Sequence, residues 1–281
     1  MKIRTILMLL LLSMQAQARM IRIGVIDTGY DTNTYDIGTK ICKFGHWDFT
    51  SKETRQIWDD KHTPPDNHGH GTHVAGLIHQ GYVGMIASQY KNPDNALQQL
   101  PKIGNDEYCL VIIKYFDRNS GGAAPSVNAL RWAIDSGVDI INFSGGGVDD
   151  IETEDKLIRQ AVYKGIVVIT AAGNDGQVLL THNPSNDTNS VGEYYYPASD
   201  PGVQSVGGYK KGKKKKPTSS SNYGPNVSAW ELGEAVLSTL PSGTIGIMTG
   251  TSQACAIHTG KVARQIHDRD IAIQPNKKEN K

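Results

Sequence analysis

The chain has 281 residues, with 29 Lys and Arg against 28 Asp and Glu and a formal net charge of +1. That length suits one large α/β domain or two small ones. So balanced a charge argues against a nucleic-acid or membrane-surface partner, and the 30 glycines gather at the ends of apolar runs, as in a sheet protein with functional loops.

The first 18 residues read as a secretory signal peptide. Lys2 and Arg4 form a basic start, residues 6–12 are unbroken apolar, and Ala16-Gln17-Ala18 fits a cleavage site. The apolar run is shorter than the roughly 20 residues a bilayer span needs. The protein is therefore expected to be exported, secreted or periplasmic. The alternative is a buried first strand. An exported chain can form disulfides. Of Cys42, Cys109 and Cys255, Cys42 with Cys109 is the pairing expected, three buried thiols being the alternative. Their spacing matches no metal motif.

Ile21-Arg22-Ile23-Gly24-Val25-Ile26-Asp27-Thr28-Gly29 reads as a buried strand, rich in branched side chains. It ends on Asp27, either a turn-starting residue or a carboxylate facing the crevice where α/β sheets bind ligands. Residues 30–66 are polar and predict long loops, with one short strand near residues 43–49. Next, Asp66-Asn67-His68-Gly69-His70-Gly71-Thr72-His73 holds three histidines. Zinc sites on a helix prefer spacing i, i+4 with an acidic partner, whereas His70 and His73 are three apart and no Glu accompanies them. The other reading makes one histidine a general base at a helix start, with His73 buried in the helix.

Residues 78–108 are less regular, and Asn92-Pro93-Asp94-Asn95 signals a loop. Residues 109–115 predict a buried strand, 119–122 a loop, 127–136 a helix, 138–144 a strand, 154–164 a helix, and 167–172 a strand running into Gly173-Asn174. This alternation predicts a mostly parallel central sheet with helices on both faces, a three-layer α/β fold. A short strand is expected at 203–207. Residues 210–217 carry six lysines, a solvated charge run or a contact for an anionic polymer. Finally, Gly250-Thr251-Ser252 follows a strand-like run at 245–248 and precedes a helix over 254–267. On the triplet alone Ser252 is a helix cap; as a nucleophile it would sit at the positive end of the helix dipole. The polar tail, 271–281, closes the chain.

Asp27, His70 and Ser252 together supply the three roles of acyl transfer. Ser is the nucleophile, His the base and then acid, and Asp the group that orients and stabilises the imidazolium.

The motifs around these residues resemble those of the subtilisin-like serine proteases. Val25-Ile26-Asp27-Thr28-Gly29 is similar to the aspartate motif, His70-Gly71-Thr72-His73-Val74-Ala75-Gly76 to the histidine motif, and Gly250-Thr251-Ser252 to the serine motif. The order Asp, His, Ser is the one known for subtilisin. Ala171-Ala172-Gly173-Asn174 resembles the oxyanion segment, which makes Asn174 and the Ser252 amide the expected oxyanion donors. Ser144, Gly145 and Gly146 resemble one substrate-pairing strand and the pocket wall, and Ser120, Gly121 and Gly122 the opposing strand, with Ala171 and Gly173 also lining the site. The resemblance implies a subtilisin-like fold over residues 19–270, without an evident propeptide. It implies a monomeric serine endopeptidase acting on peptide or protein substrates held as an added strand. No cofactor is required; calcium is possible by resemblance, with no ligand set identifiable. After Ser252 the family usually reads Met-Ala and then a proline, where this chain has Gln253-Ala254-Cys255-Ala256. Two other functions fit the same motifs, a peptide-binding pseudoprotease and a transpeptidase or peptide cyclase.

Overall fold

The computed structural model describes residues 19–51, 59–104, 107–118, 120–180, 192, 194–212 and 216–272. The expected signal peptide, Lys213, Lys214 and Lys215 of the lysine run, and all but the start of the polar tail lie outside these residues. In chain order the elements are β1 (Ile21–Asp27), β2 (Trp47–Asp48), α1 (His70–Tyr82), α2 (Pro93–Gln98), β3 (Tyr108–Lys114), α3 (Ala123–Asp135), β4 (Ile140–Phe143) and α4 (Glu152–Tyr163). There follow β5 (Val167–Ala171), β6 (Gln204–Tyr209), β7 (Ala229–Leu232), β8 (Val236–Leu240), β9 (Thr244–Met248) and α5 (Thr251–Ala272).

Seven strands form one parallel sheet in the order β2-β3-β1-β4-β5-β6-β7. Their side chains alternate between two cores. Ile21, Ile23 and Val25 pack with Val74, Leu77 and Ile257 of α1 and α5. Ile26, Val111 and Ile113 pack with Leu130, Ile134 and Ile158 of α3 and α4. Strands buried on both faces are continuously apolar, which is why β1, β3, β4 and β5 are readable from sequence. The expected three-layer α/β architecture is the one observed.

Helices α1 and α5 touch backbone to backbone on one face. A Cβ at Gly81 would collide with the Ile257 carbonyl, and one at Gly260 with the Ile78 carbonyl. The β8–β9 hairpin forms a separate two-stranded sheet and is tied to α1, where Ser238 Oγ donates to the His73 carbonyl at 2.8 Å and Thr239 Oγ1 to that of Thr72 at 3.2 Å.

Three expectations change. Asn92-Pro93-Asp94-Asn95 is not a loop but the start of α2. Asn92 accepts the Asn95 N–H, and Pro93 occupies the first turn, because Asn-Pro suits a helix N-terminus as well as a turn. Helix α1 extends to Tyr82, so residues 78–82 are regular. Helix α5 starts at Thr251, three residues before the expected 254. Cys42 and Cys109 are disulfide-bonded, and Cys255 is a buried free thiol.

Candidate active site

The strand order reverses direction beside β1. β3 lies on one side of it, and β4, β5, β6 and β7 extend on the other. In such sheets the crevice opens at the carboxyl ends of the strands at that point. Asp27 is the last residue of β1. Ile26 pairs with Phe143, so the next residues, Asp27 and Ser144, leave the sheet on neighbouring strands, about 4.8 Å apart.

Asp27 is 3% exposed. Its Oδ1 accepts the Thr28 N–H at 2.7 Å and lies 2.8 Å from His70 Nδ1. That contact fixes the imidazole tautomer, because Nδ1 must carry a proton to meet a carboxylate. The start of α1 is pressed against the end of β1. A Cβ on Gly71 would collide with the Gly29 carbonyl, which explains the glycine after the histidine.

A second buried carboxylate organises this junction. Asp66 Oδ1 accepts from the Gly69 N–H at 2.7 Å, the His68 N–H at 3.1 Å and Thr28 Oγ1 at 2.8 Å. Asp66 Oδ2 accepts from the Thr72 N–H at 2.8 Å and its hydroxyl at 2.6 Å. These bonds satisfy orphan N–H groups at the helix start. Sequence reasoning gave Asp66 no role. An Asp four residues before a histidine is common, and its partner Thr28 is 38 residues away.

Burial disfavours the His70 imidazolium. The charge and hydrogen bond of Asp27 favour it, Asp66 adds to them, and the balance raises the His70 pKa above its ordinary 6.5. His73 behaves oppositely. It is fully buried, its Nε2 meets the Val236 and Gly246 carbonyls at 3.0 and 3.2 Å, and burial lowers its pKa to about 4. It is therefore a neutral packing residue, as expected. Among the described residues no group of three or more His, Cys, Asp or Glu side chains is arranged to hold a metal ion.

Ser252 is the second residue of α5 and 9% exposed. Its hydroxyl donates to the Ser144 carbonyl at 2.7 Å, and Ser144 Oγ donates back to the Ser252 carbonyl at 3.3 Å. Asn142 supports the pair from below. Its Nδ2 donates to Ser144 Oγ at 2.9 Å, while its Oδ1 accepts from Thr259 Oγ1 at 2.9 Å and the Cys255 thiol at 3.5 Å. Cys255 and Thr259 fall where the sequence leaves the family pattern, so the altered helix has its own anchor beneath the serine. His70 therefore stands at the end of β1 and Ser252 at the end of β4. In this conformer the serine hydroxyl is directed to Ser144 rather than to His70.

Asn174 follows β5. Its Oδ1 accepts from the Thr251 N–H at 2.9 Å and the Thr251 hydroxyl at 3.1 Å. Both donors fix the amide orientation and leave Nδ2 pointing away from them. Asn174 is exposed. Ala171 ends β5, and Gly173 holds a left-handed φ of 103°. Ser144, Gly145 and Gly146 follow β4. Ser120, Gly121 and Gly122 lie on the histidine side. A Cβ on Gly121 would meet the Phe116 ring, and that ring stacks edge-on with His68, which in turn neighbours His70. This segment is set by a buried cation that sequence reasoning missed. Lys114 Nζ donates to the Pro65 carbonyl at 2.7 Å and to Asp117 at 2.8 Å, and the Asp117 N–H donates to the Ser120 carbonyl at 2.7 Å.

Residues 18–277 match the model of the subtilase family. The chain is 30% identical over 245 residues to subtilisin of Bacillus pumilus, covering 86% of this chain and 75% of that one. It is 30% identical over 245 residues to subtilisin NAT of Bacillus subtilis subsp. natto, covering 86% of this chain but only 54%, about half, of that relative. A cold adapted subtilisin-like serine proteinase superimposes with a TM-score of 0.65 at 22% identity, covering 90% of this chain and 77% of the other. Together with the parallel sheet and its crevice, these matches establish that the chain belongs to the subtilase family of serine-type endopeptidases.

Proposed function

We propose that this chain hydrolyses peptide bonds through an acyl-enzyme on Ser252, with His70 and Asp27 completing a triad. The observation that carries the reading is the 2.8 Å contact between His70 Nδ1 and Asp27 Oδ1 at the end of the strand beside Ser144 and Ser252. The substrate lies extended between residues 120–122 and 144–146. Rotation about the Ser252 χ1 turns its hydroxyl from the Ser144 carbonyl toward His70. His70 Nε2 takes the proton as Ser252 Oγ bonds to the substrate carbonyl carbon. The carbonyl oxygen becomes an oxyanion, which accepts hydrogen bonds from Asn174 Nδ2 and the Ser252 N–H. Asp27 stabilises the imidazolium. His70 then returns the proton to the leaving amine, the C–N bond breaks, and water attacks the ester by the same route.

Export is part of the proposal. It rests on the pattern of the first 18 residues and on the Cys42–Cys109 disulfide, a bond that persists in oxidising compartments. No helix among the described residues is long and apolar enough to cross a membrane. The test is cleavage of an unfolded protein substrate by the purified chain. Activity should be present in the wild type and absent in Ser252→Ala. Equal cleavage by both proteins would overturn the assignment.

A further inference from the structure

The two walls of the site share an unexpected neighbour. Gly146 follows β4 and Gly173 follows β5, yet both face the ring of Tyr195. A Cβ built on Gly146 would lie 2.6 Å from Tyr195 Cε1, and one built on Gly173 would lie 2.9 Å from Cγ and 3.0 Å from Cδ2. One edge of the ring thus meets the first wall and the other edge the second. The ring stands between them.

Three anchors hold it there. The Tyr195 N–H donates to Ser199 Oγ at 2.8 Å. The next residue is tied directly to the first wall, the Gly147 N–H donating to the Tyr196 carbonyl at 3.0 Å and the Tyr196 N–H to the Gly147 carbonyl at 2.7 Å. The ring also packs on a small apolar cluster of Ala172, Leu179, Ala198 and Val227. On the remaining side, a Cβ on Gly145 would collide with Tyr115 Oη. The Tyr115 ring is itself held edge-on against Phe143, with centroids 5.2 Å apart.

An extended substrate directs successive side chains to opposite faces. With its scissile carbonyl at Ser252 and its backbone beside residues 144–146, the residue before that carbonyl points between these walls. We propose that Tyr195 closes this slot and restricts the enzyme to bonds that follow a small side chain, Gly, Ala or Ser. This inference rests on the proteolytic reading above and adds the substrate class. Exclusion is steric. A Leu or Phe side chain needs the volume the phenol ring fills. The main-chain bonds fix the Cα from which the ring projects, and packing on Ala172, Leu179, Ala198 and Val227 holds the ring itself in the slot.

The test compares kcat/KM on peptides that differ only in the residue before the scissile bond. The wild type should prefer Ala to Phe by about 10²-fold or more, the scale on which pockets discriminate size. Tyr195→Gly should raise the rate on Phe by about 10²-fold, and Tyr195→Phe, which keeps the ring, should behave as the wild type. Tyr195→Trp should narrow the choice to Gly, and it decides the matter if the glycine variant does not fold. A wild type that prefers Phe or Leu would overturn the inference. So would a Tyr195→Gly protein that reacts with a fluorophosphonate yet keeps the wild-type ratio. If the wild type neither cleaves nor reacts with the fluorophosphonate, the proteolytic reading fails, and the inference with it.

Discussion

Thr28 and Asp66 are joined by a 2.8 Å hydrogen bond from the threonine hydroxyl, and that hydroxyl oxygen in turn accepts the Gly71 N–H at 2.8 Å. Through this relay one carboxylate fixes the end of β1 and the start of α1 relative to each other. It thereby fixes Asp27 relative to His70. Replacing Asp66 by Asn puts an NH2 group where one oxygen now accepts, facing either the Thr72 N–H or that of Gly69. A buried donor facing a donor costs about 1–3 kcal/mol. Asp66→Asn should therefore lower stability by about 2 kcal/mol and reduce kcat more than it raises KM, because the histidine loses its position. Denaturant titration and steady-state kinetics check both effects.

The raised His70 pKa sets the acid limb of activity. The base must be neutral, so kcat/KM should fall as pH drops through a value above 6.5, higher than an unperturbed histidine would give. Asp27→Asn removes the charge that raises this pKa. The limb should move down in pH, and kcat should drop by about 10⁴-fold, the loss known for the equivalent change in a serine protease triad. The contribution to stability runs the other way. A group whose pKa is raised on folding stabilises the protein below its unfolded value of 6.5, and that contribution is lost as pH rises through the folded value. An acid limb below 6.5 in the wild type would contradict the assignment.

Thr251 orients Asn174 through two bonds to one oxygen. Asn174→Ala should cost roughly 10²–10³-fold in kcat, the loss known for such a donor in subtilisin, with KM little changed. Thr251→Val removes one of the two orienting bonds and should give a smaller loss in the same direction. Parallel kinetics on the two variants check the order.

The contact of α1 and α5 is a stability prediction. Gly260→Ala forces a methyl group into the Ile78 carbonyl and against the Tyr82 backbone. Overpacking of this kind costs about 1–3 kcal/mol or more. Because α5 carries Ser252 at its start, a lower Tm should be accompanied by lower activity. An unchanged Tm would show that the two helices separate easily.

The legible parts of this protein are those where burial is complete. β1, β3, β4 and β5 are apolar throughout because helices cover both faces, and Asp27 sits at the end of such a run. Ser252 instead follows the largely exposed β9 and was legible from the Gly250-Thr251-Ser252 motif. β7 and β8 were not legible. Glu231 interrupts the first, and Ser238 and Thr239 the second, where their hydroxyls bond to carbonyls of α1. Only the packed structure explains those polar residues. Asp66, Lys114 and Tyr195 escaped for a related reason. Each acts on the site through a partner or wall supplied by another part of the chain, and no local spacing reports it. The Cys42–Cys109 pair expected from the sequence is the one formed, although an oxidising compartment permits a disulfide without choosing the pair.

The central claim is that Ser252 is a nucleophile activated by His70. A fluorophosphonate reacts preferentially with such a serine, and peptide mapping by mass spectrometry locates the adduct. The account predicts one adduct per chain, on the peptide containing Ser252, absent in Ser252→Ala and in His70→Ala, and forming more slowly as pH falls through the His70 pKa. A folded wild-type protein that takes up no label, or that carries it on another residue, would contradict it.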